Sequence, residues 1–459
     1  MEYPKIVKAI DNGQNVLIHG PGGTGKSYLL RELASYFTDK GRIVFCTATT
    51  GIAAINLSVP SKLIAGCTLH SWSGIGKGDE TPQKLVARAN HNEAARKRWM
   101  ETDILILDEV SMLGAELLDK LDFVGRTIRR QKSLPFGGLQ FVFSGDFLQL
   151  PPVNAKWVFE SFVWKEMEDT IFPYILTMPK RYEDLEWFHR LLRFRKAEHT
   201  PEDVKFLHSR VAAYDKWLKS PESKDIKAVK PTMLHSKKVD VEFQNERELR
   251  KLPGAPRDFI AVDNFVKYNN HARFDDYIKP LDDTISRCIS LNVGAQVMLK
   301  VNLDIKGGLA NGSRGVITEM FEDGGVRVKW LNGKSTIVSV HTWIQEDKDG
   351  KATRTQIPLI LAWSITIHRC QGSTLDYAIC DLGPSCWLEG MAYVALSRVR
   401  SSQGLFLVEF YPPVVKVHPL ALEYVQNIEN AKVENENPPQ VQVIYELYFV
   451  GLDPSDSDD

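Results

Sequence analysis

The stretch Val16-Leu17-Ile18-His19-Gly20-Pro21-Gly22-Gly23-Thr24-Gly25-Lys26-Ser27 joins a short apolar run to a glycine-rich turn and then to an amphipathic segment, SYLLRELASYF (27–37). Its last eight residues fit the GxxxxGK[ST] pattern in the setting that pattern needs, a strand before it and a helix after it. The turn is nearly free of bulky side chains, so the backbone N–H groups of Gly20, Gly22, Gly23, Thr24 and Gly25 can wrap phosphate oxygens. Lys26 reaches the outer phosphates and the Ser27 hydroxyl can ligate Mg²⁺.

Around this motif lie three more near-continuous apolar runs, RIVFC (42–46), DILILD (103–108) and LQFVFS (139–144). Runs of that kind suit strands buried on both faces of a parallel sheet. Between the last two, Leu117, Leu121, Val124 and Ile128 recur as one helical stripe. The layout predicts a doubly wound α/β domain. A second α/β unit is expected from about residue 228, with LAWSITIH (361–368), YAICDL (377–382) and LFLVEF (405–410) as strands. Between its parts, in 302–356, GVITEMF, VRVKWL and STIVSV are separated by DGG (323–325) and NG (332–333), the pattern of a small antiparallel barrel or meander.

With 459 residues, 43% hydrophobic and 25% charged, the chain has a globular composition and room for several domains. The longest strongly apolar stretch, 357–367, is too short for a membrane span and contains Pro358. The first residues, MEYPKIVKAIDNGQ, carry neither a signal-peptide nor a transit-peptide pattern, so a soluble intracellular protein is expected. Six cysteines without CxxC pairing suit free thiols. The net charge of −1 hides a division: residues 421–459 hold nine acidic residues and one lysine, leaving the first 420 residues at +7. The acidic end reads as a solvated tail or a partner-binding one.

Asp108-Glu109 closes the DILILD run, at the edge of the sheet where the phosphate loop also lies. Alone the pair reads as a helix cap; beside a phosphate loop, Asp108 is placed to hold Mg²⁺ and Glu109 to orient or deprotonate water. LQFVFS runs into GDFLQLPPV (145–153), where Gln149 can donate and accept at once near a terminal phosphate, or the loop is a plain turn stiffened by prolines.

The ordered set GPGGTGKS, TATTGIAA (47–54), CTLHSWSGIG (67–76), LDEVSML (107–113), GDFLQLPPV, LNVGAQVMLKVNL (291–303), LANGSRGVI (309–317), LAWSITIHRCQGSTLD (361–376) and YVALSRVR (393–400) resembles the motifs of superfamily 1B helicases. The stretch 109–130, EVSMLGAELLDKLDFVGRTIRR, resembles the signature of the Pif1 family. The resemblance implies a 5′-to-3′ DNA helicase with two RecA-like domains, ATP between them and single-stranded DNA across both. It makes Lys26, Ser27, Asp108 and Glu109 the catalytic set, Gln149 the γ-phosphate sensor, Arg398 an arginine finger and Arg181 a second one. Thr50, Gly51, Thr68, His70, Ser71, His368 and Gln371 match the DNA-contacting motifs, with Trp72 a candidate for base stacking.

The expected domains are 1–56 with 69–200 (1A), 57–68 (a wedge, 1B), 201–301 with 357–420 (2A), 302–356 (an SH3-like 2B) and 421–459 (acidic tail). Substrates would be single-stranded, tailed or structured DNA, acted on by a monomer without a membrane. The chain departs from the family's pattern in four places. No upstream glutamine is placed to read adenine, so weak base discrimination is expected. Arg181-Tyr182 stands for Arg-Gln, Cys370 replaces a hydroxyl in His368-Arg369-Cys370-Gln371-Gly372, and Met391 replaces a polar residue in Gly390-Met391-Ala392-Tyr393. The competing reading is a DNA-stimulated ATPase switch or clamp-loading factor, which takes its second half-site from a neighbour; a second motif set in the same chain argues for the helicase.

Overall fold

The computed structural model describes residues 3–435 except 63, 65, 225–228, 270–272, 302, 305–308, 310–311 and 347–349. The apolar runs become β1 (Val16–His19), β2 (Val44–Ala48), β4 (Ile104–Asp108) and β5 (Gln140–Gly145), joined by β3 (Cys67–Thr68) and β6 (Phe172–Ile175). They form one sheet, ordered β3-β2-β4-β5-β1-β6, in which every neighbouring pair is parallel. Alternate residues go to opposite faces. Val16, Ile18, Ile104, Ile106 and Val142 pack with helix Lys26–Asp39, while Leu17, Leu105, Leu107, Phe141 and Phe143 pack with helix Ala115–Ile128. Both faces being covered, the strands are apolar except at positions such as Thr47, Asp108, Gln140 and Ser144, whose side chains are hydrogen-bonded. The edge strands escaped notice because β3 is only two residues long and β6 contains Pro173 and is half-exposed.

Register decides what happens at the carboxyl edge. His19 lies opposite Gly145, and Ala48 lies opposite both Asp108 and Thr68. The phosphate loop, Asp108-Glu109, the loop to Gln149 and the segments beginning at Thr49 and Leu69 therefore leave the sheet at one level.

β7 (Thr232–His235) opens a second sheet, which the chain leaves at once for an antiparallel insert. The insert comprises β8 (Arg257–Ile260), β9 (Val262–Lys267), β10 (Cys288–Leu291), β11 (Gln296–Leu299), β12 (Arg314–Met320), β13 (Val326–Trp330), β14 (Ser335–Val338), β15 (His341–Glu346), β16 (Gly350–Gln356) and β17 (Leu359–Leu361). Its sheets are β14-β13-β12-β11-β17, β15-β16-β9 and β10-β8. β18 (Ser364–Thr366), β19 (Ala378–Leu382) and β20 (Leu405–Phe410) then complete the second parallel sheet, ordered β18-β7-β19-β20. Among the described residues no helix is long and apolar enough to cross a membrane.

Four expected boundaries move. The insert is wider than 302–356, since strands from Arg257 to Leu299 and β17 belong to its sheets. β11 and β17 fall in the stretches expected to belong to the second α/β unit, 201–301 and 357–420, and LAWSITIH is split, Leu361 ending β17 of the insert and Ser364–Thr366 forming β18 of the parallel sheet. Helix Leu185–Lys196 shares a core with the second sheet through Trp187, Phe188, Leu191 and Phe194, so the second unit starts before residue 200. Within 57–68, Cys67 and Thr68 are a strand of the first sheet; Pro60–Lys62 is a single 3-10 turn closed by a bridge between Val59 and Ile64. Residues 63 and 65 of that segment, like parts of 302–356, lie outside the described residues.

The fourth correction concerns the acidic end. Pro419–Asn435 is a helix that returns to the first unit, where Ala421 and Val425 are fully buried. Tyr424 stacks on Phe159 with ring centroids 4.2 Å apart, and its hydroxyl accepts a 2.8 Å hydrogen bond from the Trp164 indole. The charge count of 421–459 concealed the apolar spacing of Ala421, Tyr424, Val425 and Ile428, a helical stripe. Residues 436–459 lie outside the described residues. A carboxylate introduced by Val425→Asp has no partner in this core, and should lower the stability of the first unit by about 3 kcal/mol or more. Urea unfolding measures the loss, and limited proteolysis should show earlier cleavage ahead of Pro419; exposed Glu423→Gln serves as the control, expected within about 0.5 kcal/mol of the wild type.

Candidate active site

The phosphate loop is shaped by glycines with positive φ. Gly25 (φ 91°) forms the left-handed N-cap of helix Lys26–Asp39. Gly23 (φ 86°) lies so near Tyr182 that an added Cβ would sit 2.5 Å from its ring. The Thr24 hydroxyl donates to the Pro21 carbonyl at 2.9 Å, and Lys26 Nζ donates to the carbonyls of Gly20 (2.7 Å) and Pro21 (2.9 Å). Burial lowers the Lys26 pKa, against the pull of Asp146, Glu109 and Asp108.

Asp108 is the hub of the sheet edge. Its Oδ2 accepts from Ser27 Oγ at 2.8 Å, and its Oδ1 accepts from Ser144 Oγ and the Glu109 N–H, both at 2.9 Å. Ser27 and Asp108 thus present two hard oxygen donors side by side, a fit for Mg²⁺, which takes few protein ligands and completes its shell with phosphate and water. Consistent with so sparse a set, no cluster of three or more His, Cys, Asp or Glu able to hold a metal occurs among the described residues. Glu109 follows in a left-handed conformation (φ 56°, ψ 43°), a strained geometry for a residue with a side chain. Burial raises its pKa, the Asp108 charge raises it further, and Lys26, Gln371 and Arg398 oppose both.

The other wall comes from the second unit. A cleft of about 420 Å³ is lined on one side by the phosphate loop, Ser27, Asp108, Glu109 and Gln149, and on the other by Arg181, Gly372, Thr374, Arg398 and Arg400. Arg398 is 2% exposed; it donates to the Val394 carbonyl (2.8 Å), the Ser397 hydroxyl (2.7 Å) and the Ser373 carbonyl (3.3 Å). Arg181 donates to the Ser397 carbonyl at 2.8 Å, and burial lowers its pKa. The nucleotide residues expected from sequence are therefore in one place.

The sequence model of PIF1-like helicases matches residues 2–172, and that of the Pif1 helicase 2B domain matches 283–320. The Pif1 helicase of Candida albicans superposes with a TM-score of 0.79 at 31% identity, covering 93% of this chain and 98% of that one. The chain belongs to the Pif1 helicase family. A Bacteroides Pif1 bound to single-stranded DNA aligns with a TM-score of 0.68 at 28% identity, over 94% of this chain and 97% of that one. The ATP-dependent DNA helicase PIF1 of Danio rerio is 35% identical over 443 residues, and the human protein of that name 34% identical over 439. Each match covers 94% of this chain but 64% of the relative, so the chain spans less than two thirds of these relatives' length.

The residues expected to contact DNA divide into two groups. Thr50, Gly51, Thr68, His70 and Ser71 are half-buried or exposed beside the carboxyl edge, and Thr68 also caps helix Leu69–Ser73 by accepting from the Ser71 N–H at 3.2 Å. His70 and His368 are half-buried, which lowers the pKa of each. Trp72 is not available to a base: it is fully buried with its ring 4.6 Å from Trp99, because Leu69 and Trp72 form the inner face of their short helix. Gln371 is 1% exposed and its Nε2 donates to Glu109 Oε2 at 3.0 Å, so it turns toward Glu109 rather than the surface.

Sequence reasoning also missed two contributors. The Tyr393 hydroxyl accepts from the Gly22 N–H at 2.8 Å, bringing the second unit against the phosphate loop. Asp146, inside the GDFLQLPPV motif, accepts from the Leu148 N–H (3.1 Å) and Gln149 Nε2 (3.4 Å), so it shapes the loop that carries Gln149. Arg195 meets the same carboxylate at 2.8 Å, and both are buried. Burial alone would raise the Asp146 pKa, but the charge and hydrogen bonds of Arg195 outweigh it and hold the group down at about 2, while burial pushes neighbouring His19 down to about 3. The signal was an aspartate after a strand and an arginine on an otherwise apolar helix face, which spacing alone does not join.

Because the Asp146 pKa is lowered from 3.8, the pair's stabilisation is complete above that value and is lost as pH falls toward 2. Arg195→Met strands a buried carboxylate and should cost about 3–5 kcal/mol at pH 7. The gap from wild type should narrow as pH falls, first because the buried Asp146 of the variant, without Arg195, takes up a proton while the wild-type pair still holds, and then because the wild type loses its pair as pH approaches 2. Denaturant melts across this range check both the size and the sign.

Proposed function

We propose that the chain is a DNA-stimulated ATPase that translocates 5′ to 3′ on single-stranded DNA and unwinds tailed or structured duplexes. The observation that carries the reading is the composition of the cleft. Lys26, Asp108 and Glu109 from one parallel α/β unit face Arg181 and Arg398 from another unit of the same chain, so closure on a nucleotide moves one unit against the other. The names of the relatives support ATP-dependent helicase activity, and a Bacteroides Pif1 of 28% identity was crystallised with ADP-AlF3 and single-stranded DNA. Another related structure is described as unwinding forked double-stranded DNA with two coordinating Pif1 helicases. Such an activity belongs where DNA is replicated, repaired or recombined.

In this reading the phosphate loop and Lys26 bind the β- and γ-phosphates. Ser27 and Asp108 would hold Mg²⁺, which would supply charge neutralisation for the phosphates. Glu109, kept out of bulk water, orients the attacking water and takes its proton. A raised pKa makes it the better acceptor. Arg398 and Arg181 stabilise the charge that spreads over the transferring phosphoryl group, and Gln149 registers its presence. The segments at 49–51 and 68–71 on the first unit and 366–369 on the second hold the DNA strand. The segment 57–66 serves to part the strands, and the antiparallel insert acts as the 2B element.

Lys26→Ala should abolish turnover, and Glu109→Gln should bind ATP while failing to hydrolyse it with DNA present. Arg398→Ala should lower kcat by about 10³ or more with little change in KM, since a finger acts on the transition state. Steady-state ATPase assays decide these, and wild-type turnover by Glu109→Gln would remove Glu109 from its role.

Direction of movement needs its own test, because the nucleotide site is compatible with either sign. On two partial duplexes differing only in the end that carries the tail, unwinding should require the 5′ tail. A strict need for a 3′ tail would reject the direction while leaving the ATPase assignment standing.

A further inference from the structure

Glu109 is touched from both sides by the segments assigned above to DNA, and this inference rests on that assignment. On the first unit, the Thr49 hydroxyl donates to the Glu109 carbonyl at 3.0 Å, and the Thr49 N–H donates to the Asp108 carbonyl at 3.3 Å. Thr49 immediately precedes Thr50 and Gly51. On the second unit, Gln371 Nε2 donates to Glu109 Oε2 at 3.0 Å across 262 residues of sequence. Gln371 closes the one-turn helix Ile367–Cys370, its N–H donating to the His368 carbonyl at 3.3 Å. The same turn starts at Thr366, whose hydroxyl accepts from the Arg369 N–H at 3.3 Å, and it exposes Arg369 and half-exposes His368.

The fit around this contact leaves little slack. Gly372 adopts φ 78°, and a Cβ there would lie 3.5 Å from Glu109 Oε1 and 3.7 Å from the Ala53 Cβ. Gln371 Oε1 is buried without a hydrogen-bond partner among the described residues, so the amide is held by its Nε2 end alone. Glu109 itself has the left-handed backbone already described, a conformation that persists only where its surroundings hold it. A shift of the turn 366–370 when its exposed side meets a phosphate is carried rigidly into the Gln371 side chain, and from there to the carboxylate.

We propose that Gln371 is the positioning residue for Glu109, and that DNA held by the turn Thr366–Cys370 is reported to the ATP site through the Gln371–Glu109 hydrogen bond. The DNA-dependent part of hydrolysis then travels by this contact, and Gln371 itself does not touch DNA.

The test measures ATPase rates with and without a thymidine oligonucleotide, together with KM for ATP and oligonucleotide Kd, in wild type and in Gln371→Met. Methionine fills a similar volume and has no donor. The ratio of DNA-stimulated to DNA-free kcat should fall at least about tenfold, with KM and Kd each within about threefold of wild type. Gln371→Glu keeps the shape and cannot donate when ionised; it should show the same loss, and it carries the test if the methionine variant does not fold. Stimulation retained in both variants would overturn the inference. So would a large loss of oligonucleotide affinity with stimulation intact at saturating DNA, the behaviour of a direct DNA contact. A wild-type enzyme that DNA does not stimulate would overturn the proposed function as well, whereas a stimulated wild type with equally stimulated variants would leave that function standing and remove only this relay.

Discussion

Two adjacent carboxylates, Asp108 and Glu109, are buried side by side, and much of the site is arranged to make that tolerable. Burial and the Asp108 charge both resist ionisation of Glu109. Asp108 is met by two hydroxyls and a backbone N–H, all from the first unit. Glu109 cannot be satisfied that way. Its carboxylate depends on Lys26 from the phosphate loop and on Gln371 and Arg398 from the second unit. A carboxylate whose partners come from both units is sensitive to their relative position, and in the proposed reading that sensitivity couples hydrolysis to movement.

A second buried charge system works in the same direction. Asp146 sets the loop that carries Gln149, and Arg195 on helix Leu185–Lys196 braces it. That helix packs into the core of the second unit, so the brace crosses between the two units. Lys196 reaches Glu429 at 3.0 Å on the returning C-terminal helix, whose apolar face is sunk in the first unit. A buried ion pair of this kind contributes little net stability compared with apolar packing, but breaking one partner is costly. It therefore fixes the geometry of a junction more than it strengthens the fold.

The first parallel sheet and its chemistry were legible because local rules and tertiary demands coincide there. VLIH, DILILD and LQFVFS are apolar in their middles because both faces are covered, with polar residues kept to their ends, and the glycine spacing of residues 20–25 admits few other uses. Gln149 and Arg398 were reached through the resemblance rather than spacing. Part of what was not legible is side-chain direction. Trp72 and Gln371 sit inside motifs expected to contact DNA, yet each turns inward, and a motif string does not record which way a residue points. The insert's edges were misplaced because β11 and β17, which flank 302–356, pair into its sheet, and local sequence does not record which strand a strand pairs with. The C-terminal helix was lost in a charge count that summed its apolar stripe with acidic residues beyond it.

The departures from the family's pattern gain meaning from burial. Cys370 stands where a hydroxyl was expected, but it is fully buried in the second unit's core, with its sulfur 3.3 Å from the Ser373 hydroxyl. Met391 replaces a polar residue and is likewise fully buried in that core. Neither side chain lines the nucleotide cleft, so neither change removes a group from it. Tyr182, in place of a glutamine, does more: its hydroxyl donates to the Ser397 carbonyl at 2.9 Å while its ring lies against Gly23. Arg181 donates to that same carbonyl, so the neighbour of one expected finger is gripped by the other and by the tyrosine beside it. The polar groups given up at 370 and 391 thus lie in the second unit's interior, and the aromatic gained at 182 lies at the seam, where it couples the phosphate loop to Arg398 through packing instead of through an amide.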